Sequence, residues 1–81
     1  AGLAGELVEG RLPPGAQIDY PGPPRPGLEH HLYLLEGAME VTVEGVRHQL
    51  SPGDCLRYRL FGPSGFQAPG PRPARYLLAI V

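Results

Sequence analysis

From residue 30 onward the chain alternates apolar and polar positions with a period of two. Met39, Val41 and Val43 alternate with Glu40, Thr42 and Glu44, the pattern of a strand with one buried face. Val46, His48 and Leu50 repeat it against Arg47 and Gln49, and Glu44-Gly45 between the two runs is a hairpin turn signal. Leu56, Tyr58 and Leu60 share a face opposite Arg57 and Arg59. Ser51-Pro52-Gly53-Asp54 is a tight turn: Pro presets φ at the first central position and Gly supplies positive φ at the next. His30 to Glu36 reads as a strand, Gly37-Ala38 as a bend, and Ser64 to Gln67 as a short strand. Ala74 to Val81 is apolar on both faces, which predicts a central strand. No stretch carries a 3.6-residue period with caps. Short strands separated by turns predict an all-β sandwich or barrel.

The N-terminal part is punctuated differently. Leu7-Val8 suggests an edge strand or tail within residues 1–11. Residues 12–27 are rich in proline, which excludes a helix or central strand over most of that span. Ile18 to Tyr20 is long enough for one short strand, and residues 21–27 for a loop.

Composition narrows the class. With 81 residues the chain is one domain at most, spanning 1–81 with the barrel over 12–81. A domain this small is marginal alone, so it is expected to dimerise or to belong to a longer chain. The 12 Gly and 11 Pro would suggest disorder, but the apolar residues cluster in alternating runs. A net charge of −1 and the absence of a basic patch argue against direct nucleic-acid contact. The single Cys55 permits no internal disulfide, and no apolar run approaches ~20 residues, so a cytoplasmic domain without membrane contact is expected.

The order of turns is similar to that of the cupin double-stranded β-helix, or small jelly roll. The residues that carry this are LYLLEGAMEVTVEG, then VRHQLSPGD, a strand, and a Gly-Pro turn. Gly37, Gly45 and Pro52-Gly53-Asp54 match best, and residues 38–52 give the short intermotif spacing of single-domain cupins. LPPGA, EHHLYLLEG, GDCLRYR and ARYLL further resemble the C-terminal sensor domains of bacterial helix-turn-helix transcriptional regulators. The resemblance implies a DNA-binding domain elsewhere in the parent protein.

Metal-binding cupins carry His-x-His and Glu in the first motif and His in the second. Aligned on Gly37, the Glu position is His30, and the His-x-His positions are Pro23 and Arg25, or Pro24 and Pro26. The second-motif His and Asn positions fall at Ser64 and Ala68. Only His30 is able to coordinate, and a transition-metal site normally needs three or more protein ligands. His30 and His31 point to opposite faces of a strand, and nothing places His48 beside His30. No metal or other cofactor is expected. Ser64 has no evident base and Cys55 has none adjacent, so neither reads as a nucleophile.

The interior is then expected to form a mostly apolar small-molecule pocket. Its candidate lining is His30, Leu32, Leu34, Tyr58, Ser64 and Phe66, with Tyr58 preferred over Arg57 because it shares a face with Leu56 and Leu60. Arg47, Arg57 and Arg59 read as a solvated face. Tyr33, Leu35 and Val41 are placed on outer faces, and such apolar faces usually pack against a second sheet or a partner subunit, which makes a homodimer the expected assembly. The reading is a metal-free, non-enzymatic effector-sensing and dimerisation domain of a regulator. The alternatives are a stand-alone small cupin enzyme or metal-binding cupin, and a structural dimerisation barrel with a filled interior.

Overall fold

The structure is a computed structural model that describes residues 6–22 and 26–81. Eight strands follow in order: β1 (Glu6–Leu12), β2 (Gln17–Tyr20), β3 (Leu28–Glu36), β4 (Met39–Val43), β5 (Val46–Leu50), β6 (Cys55–Leu60), β7 (Ser64–Gln67) and β8 (Ala74–Ile80). Among the described residues there is no helix, and so none long and apolar enough to cross a membrane. The strands form two antiparallel four-stranded sheets, β1-β8-β3-β6 and β2-β7-β4-β5. The chain changes sheets at every connection except the β4–β5 hairpin, which is the jelly-roll arrangement of a double-stranded β-helix.

Strand positions follow the alternation. The N-terminal part contributes two of the four edge strands, β1 and β2, and its prolines fall outside both, so neither strand loses a ladder donor. The apolar β8 lies between β1 and β3, as its two-faced hydrophobicity requires. β3 starts at Leu28, two residues before the predicted boundary, because Gly27 turns the chain with φ 83° and donates to the Leu60 carbonyl at 2.7 Å.

Three turns set the register. Glu44 and Gly45 have φ of 50° and 81°, the two positive values that a two-residue hairpin matched to strand twist demands. In the 51–54 turn the Asp54 amide donates to the Ser51 carbonyl at 2.9 Å, and the Ser51 amide donates to Asp54 Oδ2 at 2.8 Å. The same turn is fastened to β3, because the Gly53 amide donates to the Leu34 carbonyl at 2.9 Å. Gly37, at the bend from β3 into β4, combines φ 81° with backbone contact: a Cβ there would strike the Pro73 carbonyl.

The core lies between the sheets. Leu12, Leu32, Leu34, Met39, Val41, Phe66, Tyr76 and Leu78 are buried there, with Ala68 and Ala74 filling the gaps. Each fully buried large apolar side chain contributes about 1.5–3 kcal/mol of transfer free energy. Val41 corrects the sequence reading that placed it on an outer face. It is completely buried, because β4 aims Met39, Val41 and Val43 together at the core and only Glu40 and Thr42 outward. Tyr33 does stand outward, 43 % exposed, and Leu35 is half-buried where the β3–β8 register shifts between Leu34 and Glu36.

Candidate functional site

The inner face of β3 carries His30, Leu32 and Leu34 in succession, and β6 aims Leu56, Tyr58 and Leu60 at the same space. His30 and Tyr58 are direct cross-strand partners. Their rings meet edge-to-face at 5.3 Å, and the Tyr58 hydroxyl lies 3.2 Å from His30 Nδ1. With the imidazole proton on Nε2, the hydroxyl donates to Nδ1; the other tautomer reverses the bond. Both residues are half-buried. Burial pushes the His30 pKa below its ordinary value, so the neutral ring is favoured. Burial, reinforced by the proximity of Tyr20 and Tyr76, pushes Tyr58 well above the usual phenol range.

The other predicted lining residues also face inward, at different depths. Leu32 and Leu34 have no exposed surface and Phe66 almost none, so they form the packed floor. Ser64 is buried at the start of β7, opposite Val43 and Tyr20. Phe66 meets Tyr20 on one side and Tyr76 on the other, each edge-to-face at 5.6 Å. Tyr20 and Tyr76 were absent from the sequence-based lining. The alternation of β8 carried the signal for Tyr76, which shares its face with Ala74 and Leu78.

His31 projects to the opposite face. Its Nε2 donates to Glu29 Oε2 at 2.7 Å, and Arg59 Nε approaches Glu29 Oε1 at 3.4 Å. The His31 hydrogen bond holds the Glu29 carboxyl below its usual range, against an opposing effect of desolvation. Arg57 and Arg59 are exposed, and Arg47, also exposed, lies 3.7 Å from Glu40. These are screened surface pairs that add little stability. Cys55 is exposed beside Tyr33.

A concavity lies on the other side of the second sheet. An open groove of about 640 Å³ runs along the outer face of the β2-β7-β4-β5 sheet, lined in part by Asp19, Glu40, Thr42, Arg47 and Gln67. Gly65 leaves its floor bare, since a Cβ there would sit 3.0 Å from Asp19 Oδ1. Polar outward positions on strands are the ordinary surface pattern, so the sequence offers no mark that distinguishes them.

A metal at the family's motif positions does not fit the residues present. Pro23, Pro24 and Arg25 lie outside the described residues and Pro26 within them; as residue types none of the four is a ligand. His30 is engaged with Tyr58, and Ser64 and Ala68 replace the second-motif ligands. Among the described residues no three His, Cys, Asp or Glu side chains converge on a common point.

Two four-stranded sheets wound from alternating strands, enclosing a His–Tyr pair, define a small double-stranded β-helix barrel. The Cupin_2 family, described as the cupin domain, matches residues 8–80, and the chain belongs to that family. No curated protein sequence matches the chain. Solved structures do. The cupin domain of an XRE family transcriptional regulator from Enterobacter cloacae is 22% identical with a TM-score of 0.86, over 94% of this chain and 79% of that one. An HTH_3 family transcriptional regulator from Vibrio cholerae is 23% identical with a TM-score of 0.86, over 95% of this chain. This chain spans 42% of that regulator's length. A polyketide cyclase from Streptomyces resistomycificus is 23% identical with a TM-score of 0.76, over 94% of this chain and 53% of that one. The fold is therefore shared by regulator domains and an enzyme.

Proposed function

We propose that this chain is a metal-free effector-sensing domain of a bacterial transcriptional regulator, binding a small molecule inside the barrel. The observation that carries the reading is the half-buried His30–Tyr58 pair, which presents two neutral polar groups to an otherwise apolar interior. Pockets of this composition use a few placed polar groups to orient a ligand that apolar walls desolvate. His30, Tyr58 and Ser64 would supply the polar contacts, and Leu32, Leu34 and Phe66 the apolar floor. The likeness to regulator cupin domains supports a separate DNA-binding domain in the parent protein. A ligand that binds one arrangement of a dimer more tightly would shift the attached domains by that difference in affinity. The outer face of β1-β8-β3-β6, with Leu7 and Tyr33 exposed, is the surface proposed for homodimerisation.

A thermal-shift screen of small metabolites tests the reading. A compound that raises the Tm of the wild type and loses its effect in Tyr58→Phe and His30→Ala is the expected result. Equal effects in all three proteins, or one equivalent of tightly held metal that disappears in His30→Ala, would overturn it.

One observation favours a second reading. Leu32, Leu34 and Phe66 are packed with essentially no exposed surface, as a purely structural dimerisation barrel would require. No compound stabilising the protein, with dimerisation intact, is the outcome that reading predicts.

A further inference from the structure

The outer face of the β2-β7-β4-β5 sheet is polar, and it is dented at one point. Antiparallel register sets Asp19, Gly65, Thr42 and Arg47 in a single row across the four strands. Gln17, Gln67 and Glu40 form the neighbouring row. Gly65 carries no side chain, so the first row is interrupted over β7. The groove of about 640 Å³ lies there, bordered by both rows and by the apolar carbon of Pro21 and Pro63. Sites for small molecules commonly measure about 300–1,000 Å³.

Backbone conformation gives no reason for a glycine at position 65. Its φ is not positive, and glycine weakens the interior of a strand. What Gly65 supplies is room: a Cβ would sit 3.0 Å from Asp19 Oδ1 and 3.3 Å from the Ile18 carbonyl oxygen. Glycine inside a strand often marks a place where a ligand or another chain approaches the backbone closely.

The groups around the dent have hydrogen-bonding capacity to spare. Among the described residues, the side chains of Thr42, Gln67, Glu40 and Arg47 make no hydrogen bond within the chain. Glu40 faces Arg47 Nε at 3.7 Å, beyond hydrogen-bond reach. The Gln17 amide donates to Asp19 at 3.1 Å. The charged side chains that line the groove are Asp19, Glu40 and Arg47. An anion would meet two carboxylates and one guanidinium. A cation would find Glu40 already beside Arg47 and Asp19 already accepting from Gln17. Among the described residues no three His, Cys, Asp or Glu side chains converge on a metal ion. A neutral polyhydroxyl compound matches the lining better. Each hydroxyl both donates and accepts, so it is served by a carboxylate on one side and a guanidinium or amide on the other.

We propose that this outer groove binds a neutral saccharide, its hydroxyls held by Asp19, Glu40, Arg47 and Gln67 over the bare backbone at Gly65. The site is separate from the barrel interior and does not depend on the function proposed for it.

The test titrates the protein with D-glucose, D-galactose, D-mannose, maltose and cellobiose, kept out of the metabolite screen, while backbone amide NMR resonances are followed. At least one sugar should shift Gly65, Thr42 and Gln67 together, with a Kd on the order of 1 mM. Glucosamine and glucuronate carry a cation and an anion on the same ring as glucose, and each should bind more weakly than the neutral sugar. Gly65→Thr fills the floor and should weaken the sugar at least tenfold; the Asp19 carboxylate, the end of a flexible side chain, swings aside to admit it. Glu40→Ala changes an outward side chain, should keep the wild-type Tm, and should weaken the sugar several-fold. His30→Ala and Tyr58→Phe should leave sugar binding unchanged. No shift of the groove amides by any neutral sugar would overturn the proposal. So would tighter binding of glucosamine or glucuronate, which would assign the groove to a charged ligand. Unchanged affinity in both Gly65→Thr and Glu40→Ala, or loss of binding in His30→Ala, would remove the site from the groove.

Discussion

Replacing Gly10 by alanine should destabilise the barrel through one ring, and the effect should vanish when that ring is removed. Gly10 is the cross-strand partner of Tyr76. A Cβ at Gly10 would sit 2.6 Å from Tyr76 Cε2 and closer still to Cζ and the hydroxyl oxygen. The ring has little room to retreat, because Tyr76 is buried and packed on Phe66 at 5.6 Å. Gly10 is not among the glycines with positive φ, so alanine meets no backbone penalty there. In a strand it should even gain about 0.5–1 kcal/mol over glycine. Overpacking costs about 1–3 kcal/mol, and displacing the ring from its aromatic neighbour about another 0.5–1.5 kcal/mol. The net loss is then about 1–3 kcal/mol, or a Tm lower by about 5–15 °C for a domain of this size. Urea unfolding of the wild type, Gly10→Ala, Tyr76→Leu and the double variant closes the cycle. In the Tyr76→Leu background Gly10→Ala should be neutral or mildly stabilising, giving a coupling energy of roughly 2 kcal/mol. An equal loss in both backgrounds would refute the assignment to the ring.

The remaining predictions address backbone, charge and assembly. Gly37→Ala should cost more than Gly53→Ala, since both positions have positive φ but only Gly37 faces backbone, at Pro73, where Gly53 faces open space. About 1 kcal/mol is expected at Gly53 and about twice that or more at Gly37, read from urea midpoints. Burial lowers the His30 pKa from its ordinary 6.5, so the unfolded chain takes up the proton first. Its contribution is therefore fully present above pH 6.5 and is lost as pH falls through the lower folded value. Denaturation between pH 7.5 and 5 should show the wild type losing stability relative to His30→Gln, and parallel curves would contradict this. That window avoids Glu29, whose lowered pKa acts below its ordinary 4.5. Leu77→Arg, on the outer face of β8, should convert the proposed dimer to monomer in sedimentation velocity, and an unchanged sedimentation coefficient would exclude that face as the interface.

Much of the fold was legible because its signals are local. The β4–β5 hairpin is written in five alternating residues on each side of Glu44-Gly45, and the 51–54 turn in its Pro-Gly pair. The central place of β8 followed from Ala74–Ile80 being apolar on both faces. Long-range geometry was less accessible. That His30 meets Tyr58 depends on the register of two strands joined through another hairpin and turn. The partnership of Tyr76 with Gly10 joins opposite ends of the chain. Tyr58 was placed inward from its neighbours Leu56 and Leu60, but nothing local revealed that its hydroxyl reaches a histidine. Val41 was misplaced by treating an apolar residue as part of an outer patch, although its own strand alternation aimed it inward. The groove over Gly65 escaped notice because Asp19, Glu40 and Thr42 have the composition of any solvated sheet face.

The proposed function requires small molecules to bind between the sheets, beside His30 and Tyr58. The most direct measurement maps ligand-induced NMR shifts over the whole chain with hits from the metabolite screen. The His30, Tyr58 and Phe66 resonances should move first and saturate together, while Tyr33 and Leu77 on the outer face stay fixed. Shifts confined to Asp19, Glu40 and Thr42 would place binding in the outer groove and contradict the claim.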